Sequence, residues 1–194
     1  MKNLNPLSEG IKKLSLKDKK ILNCINKYGL PNDRPLVGGF KTLFRMIVGQ
    51  QISVKVADSI WSKIESLTEI NEKNIFNLQE NTLKKAGLSY QKISYVKDLA
   101  LKINSKELIT DNLKNLSSFE AHKKLTSVKG IGDWTAEIYR LFVLCDLNSF
   151  PKGDIAVQEG ARLFFNLKKR PTESELLDLA KIWQPLRGAG AIVM

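Results

Sequence analysis

Histidine occurs once in this chain, at position 122, and cysteine twice, at 24 and 145. A single imidazole excludes His-triad and His-cluster metal chemistry, which leaves carboxylates, lysines and water for any catalysis. Two thiols are too few for a four-thiolate zinc or iron–sulfur site and do not make a disulfide scaffold. Both sit in apolar helical contexts, Ile21-Leu22-Asn23-Cys24 and Val143-Leu144-Cys145. They read as buried thiols in a reducing compartment, and a cytoplasmic protein, nucleoid-associated in a bacterium, is expected. No apolar run approaches the ~20 residues of a membrane helix. Residues 1–10 also lack the apolar core of a signal peptide, so no membrane partner is expected. Strand pairs, hairpin turns, repeats and low-complexity tracts are missing as well.

What is present is positive charge. The 194 residues hold 31 Lys and Arg against 20 Asp and Glu, a formal charge of +11. The excess points to a polyanionic partner, most simply nucleic acid. The alternative is a lysine-rich surface reflecting codon bias. A hydrophobic content of 43% supports a globular core, and the length fits one domain or two small lobes.

The periodicity is helical throughout, so the expected class is all-α. Ser15 is a candidate cap for a helix to Lys27, stopped by Gly29 and Pro31. Phe40, Leu43, Phe44, Ile47 and Val48 share a face, as do Ala57, Ile60, Trp61 and Ile64 over roughly 53–67. Short helices are expected near 72–78 and 80–86, and a longer one carries Ile93, Val96, Leu99 and Ala100. Ser117-x-x-Glu120 and Thr172-x-x-Glu175 are capping boxes that open further helices. Asp133 to Cys145 is apolar on nearly every side and reads as a central buried helix. A helix from Asp154 to about Phe165 and a last one near the C-terminus complete the pattern.

The sharpest local signal is Lys129-Gly130-Ile131-Gly132-Asp133-Trp134-Thr135. Two close glycines permit a tight turn with positive φ and remove side chains that would block approach to the backbone. The amides opening the next helix are then free to bind a phosphate, aided by the helix dipole. An ordinary helix–helix connection with a glycine C-cap is the other reading. Downstream, Phe150-Pro151-Lys152-Gly153-Asp154 puts an acid at a helix start, where a plain N-cap is the alternative to a catalytic role.

Together with Ile47-Val48-Gly49-Gln50-Gln51-Ile52-Ser53 and Trp183-x-Pro185-x-Arg187, these motifs resemble the helix-hairpin-helix base-excision DNA glycosylases. The closer likeness is to the alkylbase branch, the 3-methyladenine DNA glycosylase II type, over about residues 36–190. The resemblance implies a two-lobed all-α fold with a DNA-facing cleft. One glycosylase domain over 1–194 is expected, with the hairpin near 118–145 and residues 1–35 and 155–194 sharing a lobe. It also implies a monomer whose partner is duplex DNA containing alkylated bases.

Roles follow by position in the family's motifs. Asp154 would be the catalytic aspartate, stabilising positive charge on the sugar as the base leaves. Trp134 would wall the pocket of a flipped base, with Tyr139 and Phe150 as weaker candidates; a core role is the alternative for all three. Gln51 would be the wedge that fills the gap in the duplex, beside Gln50; both are otherwise helix caps. Lys129, Gly130, Gly132, Thr135 and Lys152 would meet DNA. The main-chain oxygens of Thr126, Val128 and Ile131 would hold a structural Na or K ion, with no cofactor required and no iron–sulfur cluster. Members that also cleave the DNA backbone carry a lysine where this chain has Trp134, so a hydrolase without lyase activity is expected. The family's last helix continues past the position of Met194 with an aromatic pocket residue nearby, so a more open pocket or lower activity is expected here. Competing readings are an oxidised-base glycosylase with lyase activity, a lesion-binding protein without catalysis, and an unrelated helical protein with a structural hairpin.

Overall fold

A computed structural model describes residues 5–32 and 36–194. Residues 1–4 and 33–35, part of the N-terminal stretch assigned above to one lobe, lie outside it. The described residues are all helix, turn and loop, with no strand. The chain divides into two compact units, Val37–Ala136 and Met1–Leu36 with Glu137–Met194.

The Val37–Ala136 unit holds α3 (Phe40–Gly49), α4 (Val54–Leu67), α5 (Glu72–Asn77), α6 (Glu80–Ala86), α7 (Tyr90–Asn104) and α8 (Ser118–Thr126), with a 3₁₀ turn at Thr110–Asn115. Its core takes Leu43, Phe44, Ile47 and Val48 from α3, Ile60 and Ile64 from α4, and Ile93, Val96 and Leu99 from α7. These are the positions of the 3.6-residue pattern, and each buried aliphatic side chain contributes roughly 1.5–3 kcal/mol. α7 packs against both α3 and α5. Ser53, Asn71 and Ser89 cap α4, α5 and α7 through side-chain oxygens, and Gly87 closes α6 in the left-handed conformation. The Ser117–Glu120 capping box forms as read.

The other unit contains α1 (Pro6–Ser15), α2 (Lys19–Tyr28), α10 (Ile155–Phe164), α11 (Glu173–Ala180) and α12 (Arg187–Val193). The division between units falls within α9 (Asp133–Phe142). Two expectations fail here. Ser15 does not open a helix; it ends α1, donating its hydroxyl to the Lys12 carbonyl at 2.7 Å. Asp18 caps α2 instead, accepting from the amides of Lys20 at 2.8 Å and Ile21 at 3.3 Å. The helix expected to reach Cys145 stops at Phe142, because Cys145 takes a φ of 54°. Asp146 then folds back to accept from Arg140 Nε at 3.1 Å.

Asp18 has a second duty. Its other oxygen accepts from Trp183 Nε1 at 2.7 Å, and the indole stacks on Phe165 with centroids 5.4 Å apart. One carboxylate therefore caps a helix and satisfies the buried indole N–H of the core. Asp18→Ala removes the cap, worth about 1 kcal/mol, and leaves a buried donor unpaired at a cost of about 1–3 kcal/mol. The thermal midpoint should fall by several degrees in a melt followed by circular dichroism. An unchanged midpoint would show that neither bond contributes.

Candidate functional site

In the Val37–Ala136 unit, two turns meet the same face of α7. The first runs from Gly49 to Ile52, between α3 and α4. α3 ends with carbonyls that have no intrahelical partner, and Lys92 of α7 supplies one. Its Nζ donates to Val48 O at 2.8 Å and Gln50 O at 2.6 Å. Burial alone lowers the Lys92 pKa below the usual lysine value. Gln50 points inward, its Nε2 donating to Gly130 O at 2.9 Å and, weakly, to Thr135 Oγ1 at 3.5 Å. Gln51 is exposed and adopts φ 59°, an unusual conformation for a residue with a Cβ.

The second turn is the glycine hairpin between α8 and α9. Gly130 has φ 82°, and a Cβ there would sit 2.0 Å from the Tyr95 ring. Packing and backbone both demand glycine. Gly132 differs: a Cβ built on it meets nothing within 4 Å, so no contact inside the protein asks for glycine at that position. The Lys129 amide donates to Asp98 Oδ2 at 2.8 Å, while the Lys129 side chain is exposed. His122 on α8 and Asp133 at the start of α9 approach to 2.9 Å across the hairpin. A cavity of 520 Å³ opens between this hairpin, the Gln50–Gln51 turn and α7.

In the other unit, Asp154 caps α10. Its Oδ1 accepts from Ala156 N at 2.8 Å and Val157 N at 3.2 Å. The carboxyl group lies on the wall of a 440 Å³ cavity whose apolar lining includes Ile11, Ile138, Leu141, Phe142 and Val157. The approach to Asp154 is braced locally: Gln158 Nε2 donates to Lys152 O at 3.0 Å, and Lys152 pairs with Glu173 at 3.2 Å. Arg187 of the Trp183-x-Pro185-x-Arg187 motif donates from Nε to Asn148 Oδ1 at 2.8 Å, tying α12 to the loop before Asp154.

The predicted residues therefore sort by environment. Gln50, Gly130 and Thr135 come together; Gln51, Lys129, Gly132 and Trp134 are exposed. Trp134 leaves 43% of its surface open on the first turn of α9. Tyr139 does not line the Asp154 cavity: it is 0% exposed, on the core-facing side of α9, and Phe150 is likewise core. Thr135 is only 3% exposed, so its hydroxyl supports Gln50 rather than facing outward. Lys152 meets a carboxylate. Of the carbonyls expected to hold a cation, Val128 O accepts from Ile131 N at 3.1 Å. Among the described residues no group of three or more His, Cys, Asp or Glu forms a metal site, and no helix is long and apolar enough to cross a membrane. Lys92, Tyr95 and Asp98 went unread in the sequence. Their spacing along α7, three residues apart, places all three on one face, but nothing local marked what that face would touch.

One all-helical unit carries the glycine hairpin, and the other carries a cavity with a helix-capping aspartate on its wall. The family model for HhH-GPD superfamily base excision DNA repair proteins matches residues 44–185, and the chain belongs to that superfamily. DNA-3-methyladenine glycosylase 1 of Schizosaccharomyces pombe is 26% identical over 178 residues, covering 89% of this chain and 78% of the relative. Among solved structures, a DNA-3-methyladenine glycosidase from Bacillus halodurans superposes with a TM-score of 0.86 at 26% identity, covering 99% of this chain and 90% of that one. The 3-methyladenine DNA glycosylase of S. pombe in complex with abasic DNA gives 0.82 at 26% identity, with 95% and 94% covered.

Proposed function

We propose that this protein is a monofunctional DNA glycosylase that hydrolyses the N-glycosidic bond of alkylated purines, 3-methyladenine and 7-methylguanine, in duplex DNA. The observation that carries the reading is Asp154, a carboxylate placed by α10 on the wall of a largely apolar cavity. Alkylation makes the base cationic, so it departs neutral when the C1′–N bond breaks, and no strong general acid is needed. The positive charge that develops on the sugar is stabilised by Asp154, whose carboxylate is already oriented by the amides of Ala156 and Val157. Water then adds to C1′ and its proton passes to the carboxylate or to solvent. Among the described residues, the polar side chains of the cavity lining are Ser8, Asn32 and Asp154.

The target base is unreachable in the duplex and must be flipped out. In this reading Gln51 fills the gap, Gly132 and the amides opening α9 meet phosphate, and Lys129 adds charge. Trp134 offers an exposed indole face, and cation–π attraction to an alkylated base is worth about 0.5–2 kcal/mol. The hairpin carbonyls of Thr126, Val128 and Ile131 are neutral oxygen donors of the kind that suit an alkali cation, and Val128 O keeps a second lone pair beyond its turn bond. A bound Na or K ion would supply positive charge where a phosphate approaches. The chemistry itself requires no cofactor, and the enzyme acts as a monomer.

The direct test is release of free bases from methylated duplex DNA, with products identified by chromatography. Free 3-methyladenine in the soluble fraction is the expected result; duplex binding with no base released would reject the reading. A second measurement addresses the reaction type. Trp134 has no amine to attack the sugar, so borohydride should trap no protein–DNA adduct and no strand nick should accompany base loss. A trapped adduct would assign a lyase activity instead.

A further inference from the structure

Three side chains of α7 hold two turns at once. Lys92 grips the Gly49–Ile52 turn through Val48 O and Gln50 O. Tyr95 presses its ring against Gly130. Asp98 takes the Lys129 amide. Gln50 then links the first turn to the second through Gly130 O. Gln51 directly follows these anchors, and its φ of 59° is a conformation that a side chain disfavours. Such a conformation persists only where the surroundings over-determine it. Its own side chain makes no hydrogen bond among the described residues, and the turn's outer face is exposed, so the determinants are the carbonyls of Val48 and Gln50 that precede it. Lys92 holds both.

We propose that Lys92 is a positioning residue for Gln51, clamping the C-terminus of α3 and the peptide after Gln50 so that Gln51 is presented in one fixed conformation for insertion into DNA. The inference rests on the reading of Gln51 as the wedge. A packing role alone does not call for an ammonium here. Burying the charge carries a desolvation cost, visible as the lowered pKa. The ammonium's use is that one group reaches two carbonyls that no backbone amide of α3 can serve.

The experiment is a double-mutant cycle read by fluorescence anisotropy. The probes are a duplex containing a tetrahydrofuran abasic-site analogue and the same duplex undamaged. Gln51→Ala and Lys92→Met should each weaken binding to the abasic duplex by about tenfold, a typical size for one lost coupled interaction. The double variant should be no weaker than either single one, and binding to undamaged duplex should hold to within about twofold for all of them. Lys92→Arg, which keeps charge and donors, should recover most of the loss, and it reports on the same contact if Lys92→Met proves unstable. Losses that add in the double variant would overturn the proposal, because Lys92 would then act independently of Gln51. An unaffected Lys92→Met beside a weakened Gln51→Ala would overturn it while leaving the wedge in place. No loss in Gln51→Ala would remove the wedge itself and this inference with it.

Discussion

Asp154→Asn should lower the rate of base release from methylated duplex DNA by about 10²–10³-fold, the usual effect of removing one preorganised electrostatic group from a transition state. Duplex binding and thermal midpoint should barely move. The contrast follows from the geometry of the cap. Asp154 Oδ1 accepts from Ala156 N and Val157 N, and an asparagine oxygen accepts the same two bonds. Asn and Asp are nearly equal as N-caps, whereas Ala loses about 1 kcal/mol. The asparagine variant thus removes the negative charge and keeps the helix start, while Asp154→Ala removes both. Single-turnover base release, measured beside a thermal melt for the two variants, separates the roles. Were Asp154→Asn to excise at near wild-type rate, the carboxylate would be a cap and nothing more, and the proposed chemistry would need another residue.

Gly130→Ala should be the most damaging single methyl in the Val37–Ala136 unit. The backbone there has φ 82°, and the new Cβ would fall 2.0–2.5 Å from three atoms of the Tyr95 ring. The left-handed conformation costs an alanine roughly 1–2 kcal/mol, and overpacking adds about 1–3 kcal/mol. Moving the Tyr95 ring would also disturb the bond its hydroxyl accepts from Gln91 Nε2 at 2.5 Å. Denaturant unfolding should therefore show a loss of several kcal/mol, with duplex affinity falling alongside. Gly132→Ala is the matched control. It meets no atom within 4 Å and has no positive φ, so stability should change little while duplex affinity still falls. A Gly132→Ala protein that binds duplex as well as wild type would show that DNA does not approach this backbone.

Much of the fold was legible because its signals are local. Both capping boxes, Ser117 with Glu120 and Thr172 with Glu175, form as their spacing predicts. The face of α3 and that of α7 are the apolar stripes of the sequence. α1 went unread although Asn5 and Pro6 spell a cap and a first-turn proline. Its stripe of Leu7, Ile11 and Leu14 is short and interrupted by Lys12 and Lys13. The overrun of α9 has a different cause: apolar residues continue to Cys145, but the left-handed turn at Cys145 and the pairing of Arg140 with Asp146 end the helix first, and neither shows in the apolar pattern.

The functional residues divide the same way. The glycine hairpin and Asp154 are short motifs and could be found by spacing. What each side chain does afterwards depends on partners that are far off in sequence. Gln50 and Gly130 are 80 residues apart, and Lys92 reaches Val48 over 44. Tyr139 follows Trp134 closely in sequence, yet helical geometry turns one into the core and leaves the other exposed. Five residues along a helix rotate the side chain by about 140°, which a reading of motif order alone does not resolve.

The bond between Asp18 and Trp183 spans 165 residues, and it sets an order of events during synthesis. Val37–Ala136 is one uninterrupted stretch, made before Trp183 emerges. Helices α1 and α2 are made first, yet α2 gains its indole partner only after residue 183 emerges. Until then the apolar faces of α1 and α2 lack the Trp183 and Ala189 side of their core. Long-range closure of this kind slows folding, and exposed apolar surface in the interval favours aggregation. Helices α1 and α2, made before the rest of their core, are thus locked only after it.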